Sequence, residues 1–124
     1  MRYPWCITDP HDAGWLMQKM GDREMGGKLV RDRIPDIIRA QGREPVARSL
    51  DDSAYIEALR TKLHEEATEY TESAAVEELA DILEVLYALA ETHKVSMADI
   101  EMIRLAKRAE RGGFALRLFL EDGY

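Results

Sequence analysis

Between Glu65 and Glu101 the chain carries eleven acidic residues and a single basic one, Lys94. Two runs stand out inside this stretch: Glu65-Glu66-Ala67-Thr68-Glu69 and Glu78-Leu79-Ala80-Asp81. Like charge at such density repels itself when unscreened. A helix that carries it either turns the charge to water or holds a cation. Acids spaced i, i+3 share one side of a helix, and two such pairs brought together would be costly without a counter-ion. Hard divalent ions with oxygen ligands are the natural answer. Mg²⁺ or Mn²⁺ in particular keeps open positions for water and phosphate. The competing reading is a solvated acidic face on an ordinary helical bundle.

Two helices must position these acids. Asp51-Asp52-Ser53 opens the first, with an apolar stripe of Ile56, Leu59, Leu63, Ala67 and Tyr70. Ser73-Ala74-Ala75 is a brief connection. The second helix carries Leu79, Ile82, Leu83, Leu86, Leu89 and Ala90. So short a link makes the two antiparallel neighbours. At about 100° per residue, Glu66 falls about 60° from the stripe centre at Leu63, and Lys62 and Glu69 fall further round on the same flank. Glu65 points away from the core. On the second helix Glu78 and Asp81 lie on one side of the stripe, and Glu77 and Glu84 point away. Each helix therefore offers an acid pair on the shoulder of its buried face. A carboxylate-bridged di-iron bundle would need Glu-x-x-His motifs, and the sequence has none; His64 and His93 read as surface or packing residues.

The remaining elements are shorter. Asp32 is placed to cap a short helix with Pro35 in its first turn and Gly42 at its end. Residues 46–49 alternate, as do residues 115–119 in part, and the two segments are candidates for a minor β pairing. Ser96 caps a further helix with Asp99 three residues on. That helix runs to about Arg111, where Gly112-Gly113 stops it. Its cationic stripe is Arg104, Lys107, Arg108 and Arg111. These side chains can contact phosphate or simply suit a helix C-terminus. Residues 1–26, rich in Pro and Gly with no sustained period, read as a loose N-terminal extension. The fold class expected is an all-α antiparallel bundle over residues 27–121.

With 124 residues and a formal net charge of −7, the chain fits one domain and lacks the basic balance that binding to a nucleic-acid polymer usually requires. It has one cysteine, Cys6, so an internal disulfide is excluded and a reducing, cytoplasmic setting is expected. No apolar run is long enough to span a bilayer, and no apolar segment follows Arg2 to make a secretory signal.

Glu-Glu-x-x-Glu followed by Glu-x-x-Asp on two helices resembles the all-α nucleotide pyrophosphohydrolase superfamily, which includes the MazG proteins. The nearest resemblance is to the phosphoribosyl-ATP pyrophosphohydrolase-like (MazG-like) group. It also includes the opening run Lys28-Leu29-Val30-Arg31-Asp32-Arg33-Ile34-Pro35 and the closing run Arg108-Ala109-Glu110-Arg111-Gly112-Gly113-Phe114. Together these cover about residues 27–121. Eight residues separate Glu69 from Glu78, fewer than is usual in the MazG proteins.

The resemblance implies hydrolysis of a nucleotide at its α-β phosphate bond, giving a monophosphate and pyrophosphate. Glu66, Glu69, Glu78 and Asp81 match the family's Mg²⁺ ligands. Either Glu65 or Glu69 would accept the proton of the attacking water. Lys62 matches a lysine suited to a phosphate. Lys28, Arg31 and Asp32 from the opening run, and Lys107 and Arg111 from the closing run, are candidates for substrate contact. A homodimer or higher homo-oligomer is implied as well. Phosphoribosyl-ATP as the substrate, in histidine biosynthesis, and a non-catalytic helical dimerisation module are the alternatives.

Overall fold

A computed structural model of the chain describes residues 27–123. The expected extension at residues 1–26 lies outside them. The described residues form four helices and no strand: α1 (Ile34–Ala40), α2 (Asp52–Ser73), α3 (Val76–Thr92) and α4 (Met97–Arg111). The chain divides into two compact units, one ending at Leu89 and the other starting at Ala90.

The first unit holds α1, α2 and most of α3. Pro35 sits in the first turn of α1, where its missing N–H costs nothing. Asp32 is not the cap. The N-cap position belongs to Arg33 and has no side-chain cap bond; the helix begins one residue later than a cap at Asp32 would require. Gly42 follows with φ +82°, a backbone conformation that favours glycine. Asp51 caps α2 by accepting a hydrogen bond from Ala54 N at 2.8 Å. Ala74, at φ +54°, ends α2 in the left-handed region, and its N–H donates back to Tyr70 O. Only Ala74 and Ala75 separate α2 from α3, which makes the two helices an antiparallel hairpin. Ile34, Ile38, Leu59 and Val85 are the buried apolar residues of this unit.

The buried faces of α2 and α3 are rotated from those expected. On α2 the fully buried residues are Leu59 and Glu66, while Ala67 is exposed. The centre has turned about 50° toward the acids. On α3 the buried face runs through Glu78 and Val85, and Leu79, Leu83 and Leu86 are exposed. Those three leucines, together with Val76 and Tyr87, form a second apolar face. A helix apolar on two sides gives a periodicity count no means of choosing the inward one, and the acids made the true inward face look like the edge.

The second unit contains α4. Lys94 at φ +58° ends α3, with Val95 N bonded to Ala90 O. Ser96 then caps α4 in a full capping box: Ser96 Oγ accepts from Asp99 N, and Asp99 Oδ2 accepts from Ser96 N, both at 3.0 Å. The two bonds from Ser96, backbone first and side chain second, hold the Asp99 carboxyl below its ordinary value. No residue of α4 is buried. The minor β pairing is not formed. Residues 46–49 are irregular and Val46 is fully exposed. In residues 115–119 the extended run is broken at Arg117, which takes φ +57° and donates its N–H to Phe114 O.

Candidate metal centre

The antiparallel hairpin brings Glu66 of α2 against Glu78 and Asp81 of α3. One carboxylate oxygen from each lies within 4.8 Å of the others. Glu66 is 2% exposed and Glu78 7%, the two buried charged residues among those described. Asp81 is half-buried. Acidic side chains are rarely buried to this degree unless paired or ligated.

Protein cations already stand at both ends of the cluster. Lys62 Nζ is 3.5 Å from Glu66 Oε1, one turn away on α2. Arg31, from the segment ahead of α1, donates to Asp81 Oδ1 at 2.8 Å. Buried oxygens of Glu65, Glu66, Glu69 and Glu78 (one each) accept no hydrogen bond, although all four residues make other interactions.

The donor set is all oxygen, all carboxylate and mostly buried. Two ligands on opposite sides of one Mg²⁺ sit about 4.2 Å apart, and around Ca²⁺ about 5 Å. The cluster's spacing fits a single hard dication held by Glu66, Glu78 and Asp81. Softer ions that favour thiolate or imidazole find no such ligand here.

Three of the four acids expected as ligands are therefore brought together. Glu69 lies outside this group of three. It is half-buried, as is Glu65. Glu65 does not face outward as its place on the wheel suggested, because the rotation of α2 draws that flank inward. The signal available in the sequence was the shared i, i+3 spacing; nothing in it revealed that Arg31 and Asp81, fifty residues apart, would pair.

The other candidates are spread more widely. Lys62 reaches the cluster through Glu66, and Arg31 through Asp81. Lys28 is half-buried and Asp32 exposed. Lys107 and Arg111 are exposed on α4, in the second unit. Arg104 is held at home by a two-pronged bond to Glu101 at 2.7 and 2.8 Å. That bond keeps the Glu101 carboxyl below its ordinary value and the Arg104 guanidinium above its own.

Beside Arg31 an open groove of about 360 Å³ is lined by Ala80, Leu83, Glu84 and Tyr87. Its walls are largely apolar, and all of them but Arg31 belong to α3.

No family model matches the chain, and no solved structure matches it. A protein of Mycolicibacterium smegmatis described as uncharacterised is 54% identical over 54 residues, a stretch that spans 40% of this chain and 55% of that protein. The chain thus matches about half the length of this relative. Among the described residues, no helix is long and apolar enough to cross a membrane.

Proposed function

We propose that this protein is a divalent-metal-dependent hydrolase of nucleotides, acting at the α-β phosphate bond and releasing pyrophosphate. The observation that carries this reading is the convergence of Glu66, Glu78 and Asp81 within 4.8 Å, two of them buried. The sequence resemblance to the all-α nucleotide pyrophosphohydrolases supports it too, since its motif names these three acids together with Glu69.

Glu66, Glu78 and Asp81 would hold the ion, Mg²⁺ by preference and Mn²⁺ as a substitute. Once bound, such an ion neutralises phosphate oxygens and acidifies a coordinated water. The rest is done by the chain. Glu65 or Glu69, half-buried beside the cluster, accepts the proton of the attacking water. Lys62 fixes the Glu66 carboxylate and presents positive charge toward a phosphate. Arg31, with Lys28 and Asp32 nearby in sequence, contacts the substrate from the opening segment; the resemblance also implies Lys107 and Arg111 as substrate-contacting cations. The lone cysteine fits a cytoplasmic protein.

A homodimer fits the same reading. Leu79, Leu83, Leu86 and Tyr87 are all exposed on α3, and Ile100, Met102, Ile103 and Leu105 on α4. Each of these exposed apolar groups, taken by itself, is of the kind that a second copy of the chain would cover.

The test is pyrophosphate release over a panel of canonical and modified nucleoside triphosphates, with phosphoribosyl-ATP included, in Mg²⁺. Glu66→Gln and Asp81→Asn should each abolish turnover while the helical circular dichroism spectrum is kept. Full activity in both variants would remove the site assignment. Absence of turnover across the panel, with the dimer intact, would leave a helical dimerisation module instead.

A further inference from the structure

The ion pair between Arg31 and Asp81 places a positive charge on an acid that the preceding reading assigns to the metal. Its geometry is that of a strong contact, 2.8 Å from Arg31 Nη2 to Asp81 Oδ1. The two residues come from distant parts of the chain, and their side chains are 41% and 20% exposed. Lys62 differs. It lies on the same helix as Glu66, 3.5 Å away, with only 16% of its side chain exposed. Of Lys62 and Arg31, Arg31 is therefore the one with an open path to water.

We propose that Arg31 is a built-in counter-ion of the metal-free site, which a divalent cation displaces from Asp81, and that the freed guanidinium is then offered to a phosphate group of the ligand. This inference rests on the metal reading above. A carboxylate has room for several donors, but a guanidinium and a dication on one carboxylate stand only a few ångströms apart and repel. The guanidinium is the partner able to leave, because it can be rehydrated at the surface. It also lines the groove along Ala80, Leu83, Glu84 and Tyr87. Once released it stands at the lip of that groove, next to the cluster, with its planar fork turned toward incoming ligand. Arginine binds phosphate through two parallel N–H donors, so the same side chain serves the empty and the loaded site in turn. The arrangement couples the two binding events: metal entry lowers the cost of recruiting Arg31 to the phosphate, and a phosphate that engages Arg31 strengthens metal binding by an equal factor.

The test uses Mg²⁺ alone, without nucleotide. In calorimetric titrations Arg31→Met should bind Mg²⁺ roughly two- to fivefold tighter than wild type, the size expected from losing a partly exposed ion pair. Arg33→Met, which removes the same charge two residues away, should change affinity by less than this. In ¹⁵N spectra the Arg31 side-chain Nε–H signal should move on addition of Mg²⁺ toward its position in metal-free Asp81→Asn. Equal or weaker Mg²⁺ binding by Arg31→Met, with wild type binding normally, would overturn this proposal and leave the metal reading standing. An Arg31 signal that ignores Mg²⁺ while the protein binds it would do the same. If neither protein binds Mg²⁺, both readings fall. Binding by Arg31→Met alone would support the competition directly.

Discussion

Replacing Glu78 by Gln removes one charge from the buried cluster and nearly preserves the side chain's shape. Glu78 is 7% exposed, and its carboxylate lies within 4.8 Å of those of Glu66 and Asp81. At that distance two unit charges repel by about 3.5 kcal/mol at an effective dielectric of about 20. Lys62 on Glu66 and Arg31 on Asp81 offset much of this, and the new amide gives up whatever contacts the carboxylate made. A net gain of about 1–3 kcal/mol in the metal-free protein is expected. With metal the order should reverse. A ligand at a hundred times its dissociation constant stabilises the folded state by about 2.7 kcal/mol, which the wild type gains and Glu78→Gln largely forfeits. The assay is a pair of thermal melts for each protein, one in chelator and one in excess Mg²⁺. The variant should melt higher in chelator and show little upward shift on adding Mg²⁺, whereas the wild type should show a large one. A variant that melts lower in chelator, or that keeps the full Mg²⁺ shift, would refute the idea that the cluster stores repulsion a cation relieves.

Three further outcomes test the surrounding structure. Leu59→Ala empties part of the α2 core, where Leu59 is buried; it should cost about 3 kcal/mol, read as a lower urea midpoint at unchanged slope. Leu83→Asp puts a charge on the exposed apolar side of α3, so sedimentation velocity should show a dimer converted to monomer with helical content kept. The capping box should make α4 acid-sensitive. Asp99 has a lowered pKa in the folded state, so its contribution is present above the ordinary carboxylate value and is lost as pH falls through the lowered one. Asp99→Asn should remove that acid transition from the α4 amide signals in NMR, whereas Ser96→Ala should only weaken it, since the Ser96 backbone N–H that holds the Asp99 carboxylate survives that change.

Local chemistry was legible without the fold. Asp51 and Ser96 announce helix starts because their side chains satisfy backbone N–H groups a few residues away, an interaction that needs no tertiary partner. Pro35 fits a first turn for the same kind of reason. The i, i+3 spacing of Glu66 with Glu69 and of Glu78 with Asp81 puts each pair on one side of a helix whatever surrounds it, and the two-residue link between α2 and α3 turns those sides toward a common hairpin. Asp32 shows the limit of such reasoning: a residue of the right type stands near the start of α1, yet the backbone enters the helix one position later.

Tertiary structure decided how the helices turn and which acids meet. α3 carries more apolar positions than one buried face can use, so periodicity alone cannot say which of its sides goes inward. Packing chose the side bearing Glu66 and Glu78, leaving Leu79, Leu83 and Leu86 exposed. That choice drew Glu65 partly inward and put Glu66 with Glu78 and Asp81, because ligand distances depend on axial offset between two helices and not on spacing within either. It also delivered Arg31 to Asp81 across fifty residues of chain, a pairing fixed by where the opening segment meets α3. The sequence by itself determined that a dense set of carboxylates would lie on neighbouring helices. Only the packed hairpin determined that three of them share one space with an arginine at its edge.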